Sequence, residues 1–491
     1  MVNIKTIEFK NQAIINQQNM KQIIFLAIVF LSIMGCKNAS NEDQKKPPVV
    51  TDDMMETAII YEANIRQYSP EGTFDAFTKD IPQLKQLGVK VIWLMPIFPI
   101  SITNRKAKGD LFIHDIEDPE ERKKYLGSYY AVSDFKATNP EFGTIEDFRN
   151  LVKTAHDNDI FVILDWVPNH TGWDHYWIKD RPDFYTKNAA GEITDPLNEE
   201  GVSIGWQDVA DLNYDNLDLH EAMIADMKYW VDEEGVDGFR CDVAGSVPVE
   251  FWKKAIPRLE TDRQLFMLAE AHEAELLKGT DLFDMCYGWD GHHQMNMMAK
   301  GEQDAAGFAK YLSDMSERYE SDDILMNFIT NHDENSWNGT VQERMGDAAE
   351  ALLALSYIAP GMPLIYSGQE YDLSHRLLFF EKDSIPKTKG KVWPILEKLA
   401  VLKTTHPALN GGKKAAAHEI LDSGNPNVLV MRRQKDGDTI VFVMNVSKEV
   451  QTHNAIEAGN YKDAMSDKTY TSDGATKGNL PSWAYHIYLK N

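Results

Sequence analysis

The sequence predicts a (β/α)8 TIM barrel with a small excursion domain after the third strand and a C-terminal all-β sandwich domain. Three observations carry this. About eight short apolar runs alternate with segments of helical spacing between residues 57 and 370, the pattern of a barrel or of a doubly wound sheet. No G-x-G-x-x-G follows the first run, which weighs against the doubly wound alternative. After about Thr405 the helical spacing gives way to strands such as "NVLVMRR" and "TIVFVMNV", whose alternation fits half-buried sheet.

The elements follow in chain order. Residues 20–36 read "MKQIIFLAIVFLSIMGC". The apolar run from Ile23 to Met34 is too short to span a bilayer and fits the core of a signal peptide; a plain secretory signal or an anchor helix would show the same run. The reading is a signal over 1–35 whose true start is Met20, because such a signal begins near the start of its chain. "IMGC" resembles the lipobox of bacterial lipoproteins, in which the cysteine, here Cys36, becomes the lipidated first residue. Residues 36–55 then form a lipidated tether, without apolar periodicity and with a Pro pair at 47–48. The expected location is a cell envelope lipoprotein. Cys241 and Cys286 remain, both in apolar runs, so they read as buried thiols and no disulfide framework exists.

The barrel is expected in two parts, 56–170 and 214–405, around an excursion domain over 171–213, with the β domain over 406–491. The strands are "TAIIYEA" (57–63), "VKVIWLMP" (89–96), "IFVILDWVPNH" (160–170), "VDGFRCD" (236–242), "LFMLAEAH" (265–272), "LFDMCYG" (282–288), "ILMNFITNHD" (324–333) and "GMPLIYSGQE" (361–370). Helices are expected at 74–88, ending on a Gly cap, at 144–159 behind a Thr cap, at 220–235, at 248–260 despite an internal Pro, and around 344–358. The stretch from Thr171 to Asn213 is too long for an ordinary connection and is rich in Trp, Tyr and Asp, hence the excursion.

Composition narrows the partners. The chain has 76 acidic and 50 basic residues, a formal net charge of −26. Such a surface repels phosphate backbones and anionic membranes, which leaves membrane attachment only through the lipid on Cys36. A neutral ligand is compatible with it. No C-x-x-C or H-E-x-x-H pattern points to zinc or redox chemistry.

Polar residues collect where the strands end, and in a barrel those ends share one mouth. Asp165, Asn169 and His170 close the third strand, Arg240 and Asp242 the fourth, Glu270 the fifth, and Asn331, His332 and Asp333 the seventh. Arg240 and Asp242 are two apart and so face the same way in an extended chain. One such pair alone reads as a structural ion pair. Three carboxylates with two histidines and an arginine at one mouth read as a site.

"DWVPNH", "GFRCD", "LAEAH" and "FITNHD", in this order and spacing, resemble the four hallmark regions of the α-amylase family of glycoside hydrolases. "VADLNYDN" (209–216) resembles its additional region, and "GSYYAVSDFKATNPEFGT" (127–144) its tract after the second strand. The resemblance covers roughly Thr57 to His406. It implies Asp242 as nucleophile, Glu270 as general acid and then base, and Asp333 as stabiliser of the charged transition state. It implies that Arg240 keeps Asp242 ionised, that His170 and His332 bind sugar hydroxyls, that Tyr130 stacks under the sugar, and that Asp165 supports the site beside His170. On this reading Asp242 has a lowered pKa from its Arg, and Glu270 a raised one from burial. Asn169 stands where many members bind calcium; no other cofactor is implied. Trp166, Trp173, Trp177 and Trp206 are open between sugar platforms and the core of the excursion domain. Glu370 and 375–383 read as structural or rim contacts.

The function implied is a retaining α-glucan hydrolase acting on α-1,4 bonds of starch or maltodextrin by double displacement. Val243, after the nucleophile, favours α-1,6 or mixed specificity, while a modest excursion with four nearby Trp suits an open cleft for longer chains. An oligo-1,6-glucosidase, a glucan transferase of the same family and a non-catalytic glucan-binding lipoprotein are the alternatives. A pure binder has no use for all three of Asp242, Glu270 and Asp333.

Overall fold

The computed structural model describes residues 47–490 apart from 110, 199 and 280. The expected signal over 1–35, with its start at Met20, and the lipidated Cys36 lie outside the described residues. Among the described residues no helix is long and apolar enough to cross a membrane.

Eight strands close a parallel barrel: β1 Ile60–Ala63, β2 Val91–Leu94, β3 Phe161–Trp166, β4 Gly238–Cys241, β5 Phe266–Ala269, β6 Met285–Tyr287, β7 Ile324–Asn327 and β8 Met362–Tyr366. Each expected strand is present, and each pairs with its sequence neighbour, β8 closing on β1. Alternate residues of a strand face opposite ways. Ile60, Val91, Phe161, Ile163, Phe266, Leu268, Met285, Ile324, Met326, Met362 and Leu364 pack with one another inside the barrel. Phe239, Cys241, Leu164, Met267 and Ile365 join the larger cluster beneath the surrounding helices. Cys241 and Cys286 are buried free thiols.

One position shows how tightly the strands approach. Gly238 has φ +153°, and a Cβ there would stand 2.0 Å from the Phe266 carbonyl oxygen of β5. No side chain fits, so the "DG" that opens β4 is a packing requirement.

The helices agree with their sequence signals in most cases. Thr144 accepts the Asp147 N–H in a capping box at the start of Ile145–Asp157. Val249–Leu259 tolerates Pro257. The segment expected as one helix over 74–88 is broken: Phe74–Thr78 ends, Ile81–Leu84 restarts with Pro82 in its first turn, and a 3-10 turn runs to Gly88 at φ 69°. Pro82 has no N–H to continue the first helix, so the chain starts a second one.

The expected tether reaches too far toward the barrel. Asp52–Glu56 is a helix capped by Thr51, and Val50 and Met55 are buried with the barrel interior. Apolar side chains at 50 and 55 therefore anchor this end of the tether onto the fold.

Two structures rise over the mouth. His170–Gly172 pairs antiparallel with Val209–Asp211, closing the excursion on itself. Between β2 and its helix, Lys106–Lys108 and Leu111–Phe112 form a small hairpin that the sequence did not announce. At the far end, Ala417–Ile420, Val428–Lys435, Asp438–Asn445, Tyr485–Lys490, Gly459–Asp463 and Thr469–Ser472 make a six-stranded antiparallel sheet. Leu429, Met431, Ile440, Phe442, Met444 and Ile487 face the main core. Val428, Val430, Val441 and Val443 face the other way and pack with Leu480 of a two-stranded ribbon. The alternation along these strands is what lets one sheet serve two cores.

Candidate active site

The upper ends of the barrel strands turn polar on their inward face. Asp165 and Arg240 are direct neighbours across β3 and β4, so their side chains enter the barrel side by side. Arg240 is fully buried. Its Nη1 donates to Asp165 Oδ1 at 2.7 Å and to Asp242 Oδ1 at 2.9 Å, and its Nε donates to the Tyr287 hydroxyl at 3.0 Å. Its Nη2 stands 2.9 Å from Glu270 Oε2, an ionic contact without hydrogen-bond alignment. One guanidinium thus holds three carboxylates, and its indole neighbour Trp93 lies 4.9 Å away.

Asp165 is fully buried. Its Oδ2 accepts from Trp93 Nε1 at 3.1 Å and from the Tyr130 hydroxyl at 3.1 Å. Burial raises its pKa to about 6 against the pull of Arg240. Tyr130 Oη also stands 2.8 Å from His332 Nε2, with the two rings stacked. His332 Nδ1 lies 2.5 Å from Glu62 Oε1 of β1, and its Nε2 lies 3.4 Å from Asp333 Oδ2.

The two histidines of the mouth differ in charge. Burial pushes His170 down to about 4. Burial works the same way on His332, yet Asp333 and Glu62 outweigh it and hold that imidazole up at about 9. At neutral pH His170 is neutral and His332 is a cation.

Asp242 and Glu270 depart from the sequence expectation. Burial, and then the neighbouring Glu270, push Asp242 well above the carboxylate range despite Arg240. For Glu270 burial acts upward, but Arg240 and the Val243 N–H, which donates to Glu270 Oε2 at 2.7 Å, bring it below its ordinary value. The expected order, a lowered Asp242 and a raised Glu270, is reversed. The reason is that Arg240 is shared by three carboxylates, while Glu270 alone also receives a backbone donor. The two carboxyls lie in hydrogen-bonding reach and titrate as an interacting pair.

The donor to Glu270 comes from a strained turn. Val243 has φ 37° and ψ 45°, a left-handed conformation that is uncommon for a β-branched residue. It leads the chain out of β4 so that Asp242 and the Val243 N–H both meet the acid from β5.

Tyr130, His170, Asp242, Val243, Glu270, His332 and Asp333 line one cleft of about 320 Å³, together with Lys106, Trp206, Asp208, Trp337, Phe379 and Phe380. The structure therefore brings together every expected site residue except Asn169, with Arg240 and Asp165 directly beneath the floor. Of the four tryptophans, Trp206 alone reaches the cleft, 38% exposed and edge-on to His170. Trp166 and Trp177 are buried among Phe135, Phe239 and Phe184. Trp173 packs part-buried and donates to the Gln207 carbonyl. On the opposite wall Trp337, 50% exposed, packs against Phe379 and Phe380. Glu370 accepts from the Tyr61 hydroxyl at 2.6 Å, fully buried and away from the cleft.

Sequence reasoning missed Glu62, Trp93, Tyr287, Lys106, Asp208 and the aromatic wall. Glu62 carried the same signal as the others, a lone carboxylate near the end of an apolar strand. The wall and the hairpin come from loops whose path no periodicity records.

Calcium is not assigned to this site. Among the described residues no three His, Cys, Asp or Glu side chains converge as a metal-binding group. The Asn169 side-chain nitrogen stands 3.2 Å from His170 Nδ1, and the Asn169 backbone carbonyl accepts the Leu212 N–H.

The comparisons agree with this geometry. The family model for the α-amylase catalytic domain matches residues 37–193 and 202–280. The chain is 26% identical over 407 residues to the α-amylase MalA of Haloarcula japonica, covering 81% of this chain and 56% of that one. It is 26% identical over 424 residues to a cyclomaltodextrin glucanotransferase of a Bacillus species, covering 78% and 55%. It thus spans little more than half the length of these curated relatives. Among solved structures, an α-amylase from Lactobacillus plantarum superposes with a TM-score of 0.75 at 27% identity, covering 89% of this chain and 100% of that one. A maltogenic α-amylase, AmyB, from Thermotoga neapolitana gives 0.77 at 27% identity, covering 89% and 99%. The chain shares the barrel, the excursion and the four motifs in register with the α-amylase family of glycoside hydrolases, whose catalytic-domain model it matches.

Proposed function

We propose that the protein is a retaining α-glucan hydrolase that cuts α-1,4 bonds within or near the ends of maltodextrin chains, with some tolerance of α-1,6 bonds. The observation that carries the reading is the placement of Asp242 and Glu270, both held by Arg240, at the floor of an aromatic-walled cleft. A glycosidic bond needs a protonated leaving oxygen and a nucleophile on the other face. Bound sugar separates the pair and leaves a proton on Glu270, which donates it to the glycosidic oxygen as the Asp242 carboxylate attacks the anomeric carbon. Water then enters on the leaving-group side, Glu270 takes its proton, and the Asp242 ester is hydrolysed with net retention. Asp333, 36% exposed on its side chain, faces the same space beside His332 and holds sugar hydroxyls as the ring flattens. Tyr130 offers its ring to the sugar face. Trp206 on one side and Trp337 with Phe379 and Phe380 on the other suit a chain rather than a single sugar.

The test is product analysis. Soluble starch should yield short maltooligosaccharides with rapid loss of iodine staining, and the first product should be the α anomer by NMR. Asp242→Asn, Glu270→Gln and Asp333→Asn should each fold and lose several orders of magnitude in kcat. A β-anomeric first product would refute double displacement, and glucose released from isomaltose in preference to maltotriose would point to an oligo-1,6-glucosidase. A transferase reading rests on the similarity to cyclomaltodextrin glucanotransferases; cyclic or lengthened products would establish it.

The envelope location is part of the proposal. Cys36 would be the lipidated first residue of the mature chain, attaching a hydrolase that carries no membrane-spanning helix among its described residues. Cys36→Ala should release the protein from washed membranes.

A further inference from the structure

We propose that Glu62 is a positioning residue: by holding His332 through Nδ1, it makes Nε2 a permanent donor toward the cleft and so fixes the direction of the hydrogen-bond chain through Tyr130, Asp165 and Arg240. This rests on the hydrolase reading above, since it is the sugar-facing side of His332 that gains.

Glu62 sits near the end of β1, fully buried. Its Oε1 lies 2.5 Å from His332 Nδ1 and 3.4 Å from the His332 N–H. Its Oε2 has no hydrogen-bond partner. A buried carboxylate is expensive unless it is paired, and a carboxyl kept only for packing would have both oxygens bonded. Here the single close partner is an imidazole that itself faces the cleft.

The consequence follows atom by atom. Burial raises the Glu62 carboxyl and His332 draws it back down; with Glu62 ionised, Nδ1 is the donor to it at 2.5 Å. If His332 were neutral, Nε2 would be an acceptor and would take the Tyr130 hydroxyl proton at 2.8 Å. Asp165 Oδ2 would then lose a donor that stands 3.1 Å away, deep in the protein. With the imidazole charged, Nε2–H donates instead, to Tyr130 or Asp333, and the tyrosine hydroxyl stays turned to Asp165. Asp165 in turn accepts from Arg240 Nη1, the atom that also holds Asp242. A charge on one side of the mouth therefore sets donor directions as far as the nucleophile.

The groups facing His332 come from every adjoining strand: Glu62 from β1, Tyr130 from the loop after β2, Asp165 from β3, Arg240 from β4, Glu270 from β5 and Asp333 next to it in the chain. Arg240 opposes the charge, and Asp333 and Glu62 favour it. Asp333 is in part solvated, so Glu62 is the buried half of this support.

The experiment is the pH profile of kcat/KM on a maltooligosaccharide for the wild type, Glu62→Gln and Glu62→Asp, with imidazole ¹⁵N NMR of His332 assigned from the signal missing in His332→Gln. The amide keeps shape and an acceptor but removes the charge. The expected result is a wild-type His332 that titrates near 9 and an alkaline limb that moves down in Glu62→Gln. The loss should grow with pH and be about tenfold larger at pH 8.5 than at pH 6 once that limb falls below about pH 7.5. Glu62→Asp, which keeps the charge, should restore most of the alkaline activity. Glu62→Gln should add nothing in a His332→Gln background. An equal loss at all pH values, a full additional loss in the His332→Gln background, or a wild-type His332 titrating near 6.5 would overturn the proposal. The NMR decides even if Glu62→Gln does not fold. A wild type inactive on every α-glucan would instead overturn the hydrolase reading, and the titration would still judge Glu62.

Discussion

Replacing Arg240 by Met tests whether the guanidinium is structural filling or the shared counter-charge of the floor. Methionine keeps the apolar stem and most of the volume, so packing changes little. What goes is the contact with Asp165 at 2.7 Å, with Asp242 at 2.9 Å and with Glu270 at 2.9 Å. Removing one partner of a buried ion pair costs about 3–5 kcal/mol, because a charge is left without compensation. Three carboxylates cannot all stay ionised there, so they will take up protons. This gives the loss a pH signature. A carboxyl whose folded pKa lies above its unfolded one makes the folded state bind more protons, and stability then rises as pH falls. Asp165 is already at about 6 with the arginine in place, and without it would go higher. Denaturant midpoints at pH 8 and pH 5 should therefore show a large destabilisation at pH 8 and a smaller one at pH 5. Turnover should fall by about 10²–10³-fold or more, since the charge pattern around the reacting carbon is lost. Equal destabilisation at both pH values, or a loss below about 1 kcal/mol at pH 8, would refute the idea that Arg240 neutralises all three.

Other expectations follow from single contacts. Gly238→Ala should destabilise severely or prevent folding, because its Cβ would meet the Phe266 carbonyl at 2.0 Å; a variant within about 1 kcal/mol of the parent in denaturant titration would show that the two strands separate easily. Trp206→Ala and Trp337→Ala should raise KM for long maltooligosaccharides more than for maltotriose with little change in kcat, since each ring is an exposed wall of the cleft; equal effects on both substrates would place the chain elsewhere. Lys403 is buried, donates to the Gly361 and Leu409 carbonyls at 3.0 and 2.6 Å, and is pushed down to about 7 by burial. A lysine depressed in the folded state makes that state bind fewer protons, so this residue should contribute stability that grows as pH rises from 7 toward 10.5, and the contribution should vanish in Lys403→Met. Thermal unfolding across that window reads it, and an identical slope in the variant would show that the ammonium is fully solvated or fully compensated.

The barrel was legible because its physics is local. Eight apolar runs with polar ends specify where strands lie and which ends carry chemistry, and Thr144 and Gly88 mark helix ends by side chain or backbone freedom. The break at Pro82 was equally local and was passed over because the apolar spacing continues through it. The floor of the site was half legible. Arg240 and Asp242 share a side by strand alternation, but the placement of Asp165 beside Arg240 depends on the register of β3 against β4. The pKa order of Asp242 and Glu270 was not legible at all. It turns on how one guanidinium divides itself and on a backbone N–H aimed by the left-handed Val243, and neither is written in residue types. The aromatic wall depends on loops, where Trp337, Phe379 and Phe380 meet from different parts of the chain.

The charges of the mouth, taken together, say what the cleft favours. Glu62, Asp165, Asp242, Glu270 and Asp333 bring carboxyl groups into or beneath it, against the two cations Arg240 and His332. At the rim Lys106 and Asp208 offset each other at 3.6 Å. Carboxyl groups outnumber the cationic side chains at the mouth by five to two. A neutral sugar in its ground state gains little from such a field. A ring carrying the positive charge of an oxocarbenium-like state gains much more, because the carboxylates are fixed by their neighbours and need not reorganise. Arg240 and His332 do not cancel this field, because they stand under or beside the carboxylates and leave the oxygens of Asp242, Glu270 and Asp333 facing the cleft. Their work is to keep those oxygens in place while the excess stays where positive charge will develop.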